Sequence, residues 1–150
     1  MKNVFSQTET NELLQRIENL QIATKPNWGK MDVAQMLAHC NVTYELAYDN
    51  NYPKATGFKK WILKTFIKNI VVGEKPYKKN SRTAPEFLVS SDKNFEAEKT
   101  RLKDYLMKTQ EMGASFFENR ESNSFGPLTS NEWNNMFYKH LDHHLQQFGV

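Results

Sequence analysis

The sequence predicts an all-α fold: an antiparallel bundle of four main helices, with one shorter basic helix and a long loop. Three observations carry this. Apolar residues recur at helical spacing in several segments. Alternation of the strand type is close to absent, apart from short runs such as Phe87-Leu88-Val89. Two capping boxes, Asp32 with Gln35 and Thr129 with Glu132, mark helix starts.

The first helix is expected from about Thr10 to Gln21, where Leu13, Leu14, Ile17 and Leu20 share one face. Pro26 and Gly29 punctuate the chain before the second helix. Asp32 caps that helix, which carries Val33, Met36, Leu37, Cys40, Tyr44, Ala47 and Tyr48 and should end around Asp49-Asn50-Asn51. Phe58–Val72 reads as the shorter basic helix, with Trp61, Ile62, Phe66 and Ile70 among lysines. Gly73–Ser91 contains Pro76 and Pro85, has little periodicity, and is expected as an extended surface loop; loops of this length are often functional. A further helix should open at Ser91 or Asp92, carry Phe95, Leu102, Leu106 and Met107, and end at Gly113. A second loop, Asn119–Leu128, precedes the last helix, which Thr129 caps and which runs to about Phe148 with Gly149 past its end.

Composition narrows the function. A chain of 150 residues suits a single domain spanning 1–150. Ten Phe, six Tyr and three Trp are too many for a disordered chain. No apolar run approaches the ~20 residues of a spanning helix, so no transmembrane segment is expected. The first dozen residues lack an apolar signal region, and the single cysteine excludes an intrachain disulfide framework; both fit a cytoplasmic protein. The net charge of +3 is mild. The basic residues nevertheless gather: nine lie between Lys54 and Arg82, opposed only by Glu74.

Three of the four histidines, His140, His143 and His144, sit within five residues of one another. At about 100° per residue, with His140 at zero, Trp133 falls at about +20°, His144 at about +40°, Phe137 at about +60° and Phe148 at about +80°. His140 and His144 therefore point into the bundle one turn apart, and His143, at about −60°, lies off the edge of the stripe. Buried imidazoles must be hydrogen-bonded or ligated. An i,i+4 pair can reach one cation, but core histidines can equally be satisfied by hydrogen bonds, and spacing alone leaves both readings open. His39, on the second helix, is the remaining histidine. It lies more than a quarter turn from that helix's main apolar stripe, so it faces the core only if the helix is buried on two sides.

The segment Trp28-Gly-Lys-Met-Asp-Val-Ala-Gln-Met-Leu-Ala-His39 resembles the opening of DinB-like proteins. The C-terminal Phe125-Gly-Pro-Leu-Thr-x-x-Glu-Trp133, followed by Lys139-His-Leu-Asp-His-His144-Leu-Gln-Gln-Phe-Gly-Val150, is similar to one DinB-like branch of unassigned function. The likeness covers about a third of the chain. It implies a four-helix bundle of the DinB/YfiT type, often a homodimer, with a divalent metal, commonly nickel or zinc, held by three histidines. Carried onto this chain these are His39, His140 and His144. The chain departs from the branch at Ser122-Asn123-Ser124, where a His-Pro is expected before Phe125.

Three neutral imidazoles leave a divalent ion its full charge and open positions, able to activate water or a thiol. The resemblance implies transfer of a low-molecular-weight thiol cosubstrate to a small-molecule electrophile. A metal-water hydrolase is the alternative within the family, and a non-catalytic metal-binding or protein-interaction module the alternative outside enzymology. No general base stands out; Glu45 and Asp142 are near the histidines in sequence, but Asp142 lies about 200° from His140 and should face solvent. Cys40 reads as a packed core thiol. For Phe58–Arg82 the simplest reading is a solvated lysine face with Trp61 and Phe66 packed inward; an anion-binding rim or membrane-surface contact is the functional one. No nucleic-acid pattern is present.

Overall fold

The computed structural model describes residues 1–49 and 52–150. Helix α1, Gln7–Glu18, buries Thr10, Leu13 and Ile17 along one face. It opens three residues before the predicted start, with Ser6 at the N-cap and Glu9 in the first turn, where a negative charge is favourable. Leu20 lies past the helix end yet remains fully buried.

Helix α2, Val33–Tyr48, starts where the capping box predicts: Asp32 accepts from the Gln35 backbone at 2.8 Å and the Gln35 side chain accepts from the Asp32 backbone at 3.1 Å. Twelve of its sixteen residues are buried. A helix apolar on nearly every side belongs at the centre of the packing, and this two-sided burial is what brings His39 inside. The expected end at Asp49-Asn50-Asn51 holds at its first residue, because Asp49 donates to the Glu45 carbonyl; Asn50 and Asn51 lie outside the described residues.

The basic segment differs from expectation. It forms α3, Gly57–Ile62, then a π-turn over Leu63–Ile67, then α4, Lys68–Val72. Trp61 and Phe66, expected to pack inward, are 55% and 61% exposed; Leu63, Val71 and Val72 face the core instead. The loop that follows contains a 3₁₀ turn, Pro85–Phe87.

Helix α5, Phe95–Phe117, begins later than predicted because Asn94, rather than Ser91 or Asp92, accepts from the Ala97 backbone as its cap. Gly113, the predicted end, is a kink with φ 69° and ψ 171°, beyond which one more turn carries Phe117 into the core. The loop predicted at Asn119–Leu128 folds into a short antiparallel hairpin, β1 (Arg120–Ser122) with β2 (Gly126–Leu128). Ser122 closes it: its hydroxyl accepts from the Phe125 backbone and donates to the Gly126 carbonyl, both at 2.9 Å. Three-residue strands are too short to show alternation in sequence. Helix α6, Ser130–Gln147, has both bonds of its predicted capping box, and Gly149, at φ 78°, follows its end.

Helices α1, α2, α5 and α6 pack on one another around a shared apolar core, which makes the fold all-α as predicted. Phe117 sits among Phe5, Trp133 and Phe137 at ring separations of 5.4 to 5.6 Å, and Tyr44 stacks on Phe137 at 5.0 Å. Truncating the fully buried Phe117 to alanine should lower stability by about 3–5 kcal/mol, read as a fall in the urea midpoint. Gly113→Ala should lower it by about 1–3 kcal/mol, because a side chain there is forced into a positive-φ conformation that essentially only glycine adopts, although the space is open.

Candidate metal centre

The contact between α2 and α6 brings His39, His140 and His144 together. One nitrogen from each lies within 4.8 Å of the other two, close enough for the three to hold a metal ion. Ring centroids are 4.9 Å apart for His39 and His140, 4.5 Å for His39 and His144, and 4.8 Å for His140 and His144. The helical spacing puts His140 and His144 on the inner face beside Trp133, Phe137 and Leu141, all buried. His143 falls at the rim as its wheel position predicts, half-buried, with its ring 5.8 Å from Trp28 and 5.7 Å from Tyr77.

The hydrogen bonds behind the rings decide which nitrogens face inward. His39 Nδ1 lies 2.8 Å from the Phe87 carbonyl oxygen, which can only accept, so Nδ1 carries the proton and Nε2 carries the lone pair. The Gln147 amide donates through Nε2 to the Trp28 carbonyl at 2.6 Å, which leaves its Oε1 to face His144 Nδ1 at 2.7 Å. His144 therefore also holds its proton on Nδ1 and presents Nε2 inward. His140 Nδ1 lies 2.8 Å from the Thr43 hydroxyl, which can donate or accept. When Thr43 donates, His140 Nε2–H can bond His39 Nε2, 3.0 Å away. When Thr43 accepts, His140 presents a third inward lone pair. Partners of this kind behind ligating imidazoles fix their tautomer and orientation. The donor set thus fits a divalent ion of intermediate softness, for which imidazole is a common ligand.

Burial keeps the imidazoles neutral, the form that ligates metals. It lowers His39 against the opposing pull of the Phe87 carbonyl, and pushes His144 down to about 3, with His39 adding to the effect and Gln147 opposing it. His140 lies well below the ordinary histidine range, through burial and then the neighbouring imidazoles.

Sequence reasoning selected the three histidines but missed the residues that orient and cover them. Thr43 is one turn after His39 and Gln147 three residues after His144, spacings that could have flagged both. Phe87 carries no such signal: it comes from the loop expected to lie on the surface, and its ring sits 5.3 Å from His39 and 5.5 Å from His140. Tyr77 of the same loop stands edge-on to His140 at 6.4 Å. Lys139 was also missed. It is buried, and its Nζ donates to the carbonyls of Ile70, at 2.9 Å, and Gly73, tying the end of α4 and the loop start to α6.

The other candidates have different work. Asp142 pairs with Arg16 at 2.7 Å. Glu45 is held by Arg101 and Tyr52, both at 2.6 Å, in the wall of a separate cleft. Cys40 is a buried thiol against Met36, as expected. Ser122-Asn123-Ser124 runs from the end of β1 into the hairpin turn, where the Asn123 carbonyl accepts from the Ala55 backbone at 2.8 Å.

Fold and site together define a mostly helical protein with a cluster of three histidines, two of them buried, able to hold a metal ion. A family model described as a protein of unknown function, DUF1569, matches residues 2–149, and the chain belongs to that family. No curated protein and no solved structure matches it.

An unfolded imidazole takes a proton near 6.5, whereas His144 in the native protein stays neutral to about 3. Between these values the unfolded chain binds more protons, so native stability is full above pH 6.5 and falls as the pH is lowered. Urea titrations of metal-free protein should show a loss of about 2 kcal/mol between pH 6.5 and pH 5 from His144 alone. A flat profile over that range would contradict the neutral assignment.

Proposed function

We propose that His39, His140 and His144 hold a divalent metal, nickel or zinc, and that the protein is a metal-dependent enzyme of the DinB-like type, transferring a low-molecular-weight thiol to small electrophiles. One observation carries the metal assignment: two of the imidazoles have Nδ1 committed to an acceptor outside the cluster and aim Nε2 inward, and the third can do the same through Thr43. The thiol chemistry rests on the resemblance of the Trp28–His39 and Phe125–Val150 segments to DinB-like proteins.

A divalent ion bound there supplies a Lewis acid that lowers the pKa of a thiol or polarises an electrophile. The chain's own residues supply the rest. Phe87, Gln147 and Thr43 orient the imidazoles. The rings of Phe87 and Tyr77 cover part of His140, which stays partly exposed while His39 and His144 are buried. At the rim, Lys79 Nζ lies 4.2 Å from the centre of the Trp28 ring, and Trp28 borders His143. A cation at this rim suits an anionic cosubstrate.

The burial of His39 and His144 also favours a second reading, a non-catalytic metal-binding module whose ion is held rather than offered to substrate. Metal analysis and turnover separate the two. Protein purified without a histidine tag or chelator should carry one equivalent of nickel or zinc. His39→Ala, His140→Ala and His144→Ala should each lose it while keeping the helical circular-dichroism signal. Thr43→Val keeps the side-chain shape, removes the hydroxyl behind His140, and should weaken metal affinity about 10- to 100-fold. Metal-dependent consumption of a small thiol in the presence of an alkylating electrophile supports the transferase. Stoichiometric metal with no turnover supports the module, and absence of metal from wild-type protein refutes both.

A further inference from the structure

The segment Gly57–Val72 has two faces with different fates. Its inner face is firmly placed. Leu63 and Val71 pack against the core and Val72 is buried. Asn135 of α6 donates to the Val72 carbonyl at 3.0 Å, Lys139 donates to the Ile70 and Gly73 carbonyls, and Lys68 pairs with Glu132 at 2.7 Å. The outer face has no partner among the described residues. Phe58 is 74% exposed, Trp61 55%, Phe66 61% and Ile70 59%. The rings cluster without cover: Phe58 stacks on Trp61 at 5.6 Å, and Phe66 meets Trp61 edge-on at 6.1 Å.

The π-turn at Leu63–Ile67 is what aligns this face. A π-turn is wider than an α-turn and sets back the phase of the helix that follows. Phe66 and Ile70 therefore stay on the side of Phe58 and Trp61, while Leu63, Val71 and Val72 turn toward α6. The outward apolar stripe runs the length of the segment, and large contiguous exposed apolar patches mark interaction sites.

The charges around the stripe identify its partner. Lys59, Lys60 and Lys68 pair with Glu86, Glu121 and Glu132 of neighbouring segments. Lys54 and Lys64 have no ion pair among the described residues. A two-fold contact between copies through this face would bring two lysine-bordered stripes together, with the nearby carboxylates already paired. Single-stranded nucleic acid binds through successive stacking rings and often arginine, whereas this stripe includes Ile62 and Ile70 and its surrounding charges are lysines. An apolar aromatic stripe bordered by lysines, with Trp61 at its middle, matches the boundary between headgroups and acyl chains of an anionic bilayer.

We propose that the outer face of Gly57–Val72 docks the protein on membrane surfaces rich in anionic phospholipid. Phe58, Trp61, Phe66 and Ile70 enter the acyl boundary, and Lys54 and Lys64 lie at headgroup level. The contact is peripheral, since no helix among the described residues is long and apolar enough to cross a membrane. It is also independent of whether the histidines bind metal.

The test is sedimentation of the full chain with vesicles of phosphatidylcholine alone or mixed equally with phosphatidylglycerol. Binding is expected only to the anionic vesicles and should be released by high salt. Brominated acyl chains should quench tryptophan fluorescence far more in wild type than in Trp61→Phe, since Trp133 is buried in the core and Trp28 lies at the histidine rim, against Lys79 and His143. Lys54→Gln with Lys64→Gln should lower partitioning about 20-fold, and Trp61→Ser with Phe66→Ser should abolish it. Both double variants should keep the wild-type circular-dichroism spectrum, because all four side chains lie outside the core. The proposal fails if wild type ignores anionic vesicles. It fails equally if light scattering shows a dimer that Trp61→Ser dissociates, or if single-stranded DNA displaces protein from the vesicles.

Discussion

Three imidazoles share one buried space between α2 and α6, and that constraint organises much of the structure. Neutral rings cannot be left unpaired in an apolar core without a cost of several kcal/mol. Each is therefore tied through its outer nitrogen: His39 to the Phe87 carbonyl, His140 to Thr43, His144 to Gln147. These ties fix where the inner nitrogens point. They also explain how a polar cluster shares the inner face of α6 with Trp133 and Phe137.

Thr43 is the adaptable member. Its hydroxyl lets His140 either share a proton with His39 or turn a lone pair toward a cation. A carbonyl in its place would force one tautomer, and an apolar residue would leave His140 Nδ1 unpaired. The cluster can therefore satisfy its hydrogen bonds without an ion and still present three ligating nitrogens to one.

The chain between α2 and α5 connects this centre to the surface. Its first part, Gly57–Val72, is pinned to α6 by Asn135 and Lys139; its later part delivers Tyr77 and Phe87 over the histidines. Lys139 is central to the arrangement, holding carbonyls at the end of α4 one residue before His140 on α6. Burial lowers its pKa to about 8, and its ammonium also lies 4.7 Å from the Tyr77 ring centre. The cover of the site and the exposed aromatic stripe thus hang from the same helix that carries two of the three histidines.

The helices themselves were legible in the residues: Asp32 with Gln35 and Thr129 with Glu132 set two starts, and the stripe through Trp133, Phe137 and Leu141 turned His140 and His144 inward. These are local facts, fixed by spacing along one helix and by side chains reaching backbone three residues away. His39 was ambiguous because a wheel shows which residues share a face but not how many faces are covered, and α2 is covered on nearly all of them. The Gly113 kink and the Asn119–Leu128 hairpin escaped because one glycine and two three-residue strands leave no periodic trace. Trp61 and Phe66 point outward against the simplest reading because a π-turn changes the phase, and that turn depends on what α6 offers to grip. Phe87 over His39 is the clearest case: a contact across 48 residues, made by a backbone carbonyl that every residue type carries, is invisible in sequence and is settled only by how the loop packs.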